Sequence, residues 1–66
     1  SKLMAYQKDY KFTFEDGATL TLQAKSKAQA RMWLSVMCND RVGQTAQGTD
    51  EDGKVFKAKV EEQTDV

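Results

Sequence analysis

The sequence predicts an α+β domain of ββαββ order: a β-hairpin, one helix and a second β-hairpin, with a small antiparallel sheet packed on the single helix. Three observations predict it. Apolar and polar residues alternate over residues 4–14 and again over 18–24, the period-two pattern of half-buried strands. A capping box at Ser26 opens a stripe of helical spacing. The tripeptide Glu-Asp-Gly occurs at 15–17 and again at 51–53, each time between two strand-like stretches.

The first strand places Met4, Tyr6, Tyr10, Phe12 and Phe14 on one face and Lys11, Thr13 and Glu15 on the other. The second sets Ala18, Leu20, Leu22 and Ala24 against Thr19, Thr21 and Gln23. A two-residue Asp-Gly turn would pair Phe14 with Thr19, apolar against polar. A three-residue loop, Glu15-Asp16-Gly17, pairs Phe14 with Ala18, Phe12 with Leu20 and Tyr10 with Leu22, and needs the left-handed conformation that Gly17 adopts without a Cβ penalty. A one-residue slip would turn a strand inside out, so the three-residue loop is expected.

The helix is expected over residues 27–39. Ser26 is the N-cap, with Gln29 three residues on. Ala30, Trp33, Leu34, Met37 and Cys38 form the stripe expected to cover the sheet, and Asn39 is a stop signal because Asn tolerates the left-handed region. Beyond it, Glu51-Asp52-Gly53 repeats the first turn. In that register Gly48 faces Phe56 and Ala46 faces Ala58, an aromatic covering bare glycine backbone. The fourth strand turns Phe56, Ala58 and Val60 inward. The third, about residues 42–49, is the weakest by composition, since Gly43, Gln44, Gln47 and Gly48 are poor strand formers. The expected core is Phe12, Leu20, Leu22, Trp33, Leu34, Met37 and Phe56. One domain is expected across residues 1–66, fraying at about 1–4 and 62–66, with a frayed tail from Glu61.

Composition narrows the chemistry. A chain of 66 residues buries only roughly 60% of its unfolded surface. Its one cysteine, Cys38, cannot form an internal disulfide, and with no histidine the usual zinc sites cannot be built. The formal net charge is zero, which lacks the basic excess common in nucleic-acid binders. No apolar run approaches the length of a membrane span, so no membrane association is expected. The lone cysteine and the absence of a secretory signal suggest a cytoplasmic setting.

No catalytic, metal-binding or cofactor-binding residue is identified, and no enzyme is expected. Without histidine there is no triad, no Cys-His dyad and no imidazole base. Carboxylates gather only in the turns, as Glu15-Asp16 and Asp50-Glu51-Asp52. Acid–base chemistry needs a desolvated carboxyl, and turn tips are wet. The alternate acidic spacing of a calcium loop is missing. Cys38 near a helix C-terminus lacks the setting that activates a thiol.

Two surfaces remain. Gln29, Met32 and Val36 lie opposite the expected core stripe and form a small partly apolar patch, the candidate contact for a larger protein partner or for self-association as a homodimer. The outer sheet face carries Lys11, Lys57 and Lys59 among threonines, with Lys25 nearby, and could contact phosphates. No aromatic falls there for base stacking.

The run Tyr10-Lys-Phe-Thr-Phe-Glu-Asp-Gly17, a second strand, then Ala24-Lys-Ser-Lys-Ala-Gln-Ala30 opening a helix resembles the hairpin-into-helix segment of small phage and mobile-element accessory proteins, including inhibitors used in host takeover. The resemblance spans roughly the first 38 residues and is architectural. It implies a non-enzymatic module that binds and modulates a larger host macromolecule. The alternative is a nucleic-acid-binding domain using the Thr/Lys face.

Overall fold

The computed structural model describes residues 6–63. Strands β1 (Lys8–Phe14) and β2 (Thr19–Ala24) form the first hairpin, α1 spans Lys27–Met37, a 3-10 turn covers Asn39–Arg41, and β3 (Thr45–Thr49) and β4 (Val55–Lys59) form the second hairpin. All four strands join one antiparallel sheet in the order β2-β1-β3-β4. The central pair is thus made by the first strand of each hairpin, and β2 and β4 are the edges. Even-numbered strand residues face α1 and are largely buried, while the odd-numbered residues face outward.

Both turns have the expected form. The Phe14 N–H donates to the Ala18 carbonyl at 2.8 Å and the Gly17 N–H to the Phe14 carbonyl at 2.9 Å. The second turn repeats this with Asp50 and Lys54 closing at 3.0 Å and the Gly53 N–H reaching the Asp50 carbonyl at 3.0 Å. Gly17 and Gly53 have φ of +93° and +82°. The pairs Phe12–Leu20, Tyr10–Leu22, Gly48–Phe56 and Ala46–Ala58 all lie in register.

The helix begins as the capping residues require. Ser26 Oγ accepts from the Gln29 N–H at 3.2 Å, and Gln29 Oε1 accepts from the Lys25 N–H at 2.8 Å. Its end is earlier than expected. Cys38 is the C-cap, and Asn39 enters the 3-10 turn; among the described residues no non-glycine has positive φ, and Gly43 takes the left-handed position at +92°. β3 starts at Thr45, not near residue 42, because residues 39–44 carry this tightened exit. β1 starts at Lys8; Tyr6 is 68% exposed and its hydroxyl donates to Glu51. Met4 lies outside the described residues, as do 1–3 and 64–66 of the expected fraying. Residues 61–63 have no regular secondary structure, but Glu61 is tied down, its N–H donating to Ser35 Oγ at 2.9 Å.

The core joins Tyr10, Phe12, Phe14, Leu22 and Val60 from the sheet side to Ala30, Leu34 and Cys38 of α1. Leu20 and Phe56 are partly buried against it. Trp33 and Met37, expected inside, are 42% and 56% exposed. The helix is turned by roughly a fifth of a revolution from the most apolar orientation, given about 100° per residue. Volume explains the turn. The sheet already supplies Tyr10, Phe12, Phe14 and Phe56, so the helix face that packs densely against it is the one bearing small residues, Ala30 and Ser35, around Leu34. Phe56 packs edge-on against Tyr10 and Phe12, with ring centroids at 6.1 and 5.8 Å. The Lys27 ammonium and Arg31 guanidinium each sit 5.2 Å from its centre, an arrangement favoured by the ring quadrupole.

Candidate protein-interaction surface

The helix rotation sets the surface. Burying Ala30, Leu34, Ser35 and Cys38 sends the opposite side of α1 to solvent. Met32, Trp33, Val36 and Met37 fall there, two adjacent pairs one turn apart, with Met32 and Val36 46% and 43% exposed. These four side chains together leave on the order of 350 Å² open, in the range of the largest apolar patch on a typical monomer, about 300–600 Å². The wheel identified Met32 and Val36 and missed Trp33 and Met37, which it assigned to the core. The missed signal was the aromatic load of the even strand positions, which leaves no volume for an indole beneath the helix.

Gln29, the third residue of the expected patch, is half-buried and bound to the Lys25 N–H. That bond serves the helix start, so Gln29 contributes a border to the patch and not a free contact.

The lysines expected on the other face are all exposed but do not converge. Lys11 is on β1, Lys57 and Lys59 are on β4 two strands away, and Lys25 lies in the β2–α1 connection. Acidic groups interleave with them. Asp9 accepts from Gln23 Nε2 at 3.0 Å on the same outer face, and Glu15 and Thr45 line a shallow hollow beside Lys57.

Three of the turn carboxylates, Asp16, Asp50 and Glu51, are occupied with scaffolding. Asp16 accepts from the Ala18 N–H at 3.0 Å and pairs with Arg41 at 3.1 Å. The Ala18 N–H first, then the Arg41 guanidinium, hold its carboxyl below the usual aspartate range. Arg41 also lies 4.6 Å from the centre of the Phe14 ring and bonds Gln44 Oε1, so it clasps the first turn to the α1–β3 link. Asp50 Oδ1 accepts from the N–H groups of Asp52 and Lys54, both at 2.9 Å. Glu51 accepts from the Tyr6 hydroxyl and, at 3.0 Å, from the Asp9 N–H; the hydrogen bond from the Tyr6 hydroxyl to Glu51 raises the Tyr6 phenol above its ordinary range. Burial first, and then Asp40, push the Cys38 thiol up. Among the described residues no helix is long and apolar enough to cross a membrane.

Comparison of the chain with protein families, with curated proteins and with solved structures found no match in any of the three.

Proposed function

We propose that this chain is a non-enzymatic protein-interaction module, of the kind found among small phage and mobile-element accessory proteins, that binds and modulates a larger macromolecule through the outer face of α1. The observation that carries the reading is the apolar character of that face, where Met32 and Val36 stand open to solvent on the side of the helix turned from the sheet. Covering apolar surface releases about 25 cal/mol per Å², whereas scattered exposed lysines exchange water for weak surface pairs. Of the turn carboxylates, Asp16 and Asp50 are engaged in turn hydrogen bonds, and all lie on wet turn tips, where a carboxyl is not desolvated as acid–base chemistry needs. A lone, buried Cys38 suits a reducing, cytoplasmic setting.

The test is capture of a partner from cell lysate with and without nuclease. Met32→Asp with Val36→Asp should abolish nuclease-resistant capture and leave the circular dichroism spectrum unchanged. Lys57→Glu with Lys59→Glu should have little effect. Nucleic-acid binding through the outer sheet face gives the reverse, with capture lost on nuclease treatment, sensitive to the lysine change and steeply dependent on salt.

A further inference from the structure

The two edges of the sheet are not alike. β4 is defended against strand addition. It carries Lys57 and Lys59, and Arg31 Nε donates to its Lys57 carbonyl at 3.4 Å. Charge on an edge strand is the usual deterrent to pairing with another chain. β2 reads Thr-Leu-Thr-Leu-Gln-Ala, with no charge, proline or glycine, and among the described residues no strand pairs with its outer side. The closing bond between Phe14 and Ala18 starts an alternation in which even residues of β2 hydrogen-bond to β1 and odd residues direct their N–H and C=O groups outward. Thr19, Thr21 and Gln23 are therefore presented along an open edge.

The helix adds an apolar flank on the same side. Arg31 and Ser35 reach toward β4, through the Lys57 carbonyl and the Glu61 N–H. Trp33 and Met37 are exposed on the flank of α1 away from these contacts, and α1 packs more against β2 than against β4. The exposed apolar flank and the undefended edge thus lie on the same side of the molecule.

We propose that a second copy of this chain occupies this edge, pairing β2 with β2 antiparallel about a two-fold axis at Thr21. Three features of the edge favour a copy of itself over another chain. In the register centred on Thr21, the outward odd residues meet odd residues: Thr21 faces Thr21 of the second copy and Thr19 faces Gln23. The inward even residues also match, the partly exposed Leu20 meeting Leu22. The charged ends are complementary, because the acidic turn of one copy, with Glu15 exposed beside Asp16, then falls near the exposed Lys25 at the far end of β2 in the other. Matching even faces puts both helices on one side of the joined sheet, with Trp33 and Met37 of each copy directed at the other. The strand edge is roughly 20 Å long, and with the helix layer above it the contact covers on the order of 600 Å² per copy, close to the about 800 Å² of a standard interface. Met32 and Val36 stay outside, so the dimer presents two copies of the proposed partner surface side by side.

Trp33 is the sole tryptophan, which makes the full chain its own probe. Sedimentation velocity and indole emission should be followed from low micromolar to submillimolar protein. A concentration-dependent dimer with blue-shifted emission is expected. Thr21→Lys, which sets like charges opposite each other at the axis, and Trp33→Glu should each weaken the dimer at least tenfold by sedimentation, with unchanged circular dichroism. Lys57→Glu on the defended edge should leave it intact. A chain that stays monomeric across the range, or a dimer indifferent to both Thr21→Lys and Trp33→Glu, overturns the proposal. Met32→Asp with Val36→Asp should preserve the dimer, so loss of partner capture and loss of self-association are read separately.

Discussion

Replacing Gly48 with alanine should destabilise the protein, although alanine in a strand interior normally gains about 0.5–1 kcal/mol over glycine. The reason is steric. A Cβ at Gly48 would stand 2.6 Å from Phe56 Cζ, 2.8 Å from Phe56 Cε2 and 2.9 Å from Phe12 Cε1, closer than carbon atoms approach. Phe12 is fully buried at the sheet centre and cannot yield, so the half-buried Phe56 must move. Moving it disturbs both edge-on aromatic pairs, each worth about 0.5–1.5 kcal/mol, and displaces the ring from beneath Lys27 and Arg31. Overpacking of this kind costs about 1–3 kcal/mol, and together the losses exceed the backbone gain by about 2–3 kcal/mol. For a domain of this size each kcal/mol shifts Tm by about 4–8 °C, so the Tm followed by circular dichroism should fall by about 8–24 °C. Phe56→Leu should remove part of the clash, and the double variant should be less destabilised than the sum of the two single changes. A Gly48→Ala protein as stable as the parent, or additive behaviour in that cycle, would refute the assignment of Phe56 as the cover over Gly48.

Further outcomes test the helix orientation, the turns and the clasp at Arg41. Leu34→Ala should cost about 2–5 kcal/mol in chemical denaturation, while Met37→Ala, on the exposed side, should cost under about 1 kcal/mol; equal losses would restore the orientation expected from hydrophobicity alone. Gly17→Ala and Gly53→Ala should each destabilise by about 1 kcal/mol or more, because alanine fits positive φ poorly, and unchanged melting at both would contradict the three-residue loops. The Asp16 carboxyl titrates below its ordinary range in the folded chain, so its stabilising effect is complete above the unfolded aspartate pKa and is lost as pH falls through the depressed folded value. Asp16→Asn should therefore flatten part of the acid limb of a plot of Tm against pH, and an unaltered limb would exclude the Asp16 clasp as its source.

Much of this fold is dictated locally and is legible in the sequence. The Glu-Asp-Gly turns, the hairpin registers and the Ser26 cap depend on residues a few positions apart, on positive φ at glycine and on side-chain period. Met32 and Val36 were legible for the same reason, since a helical wheel finds the side opposite an apolar stripe. Tertiary packing decided the rest. The pairing of β1 with β3 joins residues far apart in sequence, and alternation alone says nothing about which strands are neighbours. The orientation of α1 depends on volume: four aromatics below the helix favour Ala30 and Ser35 at the contact and send Trp33 and Met37 outward. Arg41 had no sequence signal as a clasp, because its partners Asp16 and Phe14 come beside it only when the first turn meets the exit of the helix. Hydrophobic period marks which residues can be buried; the shape of the facing layer selects which of them are.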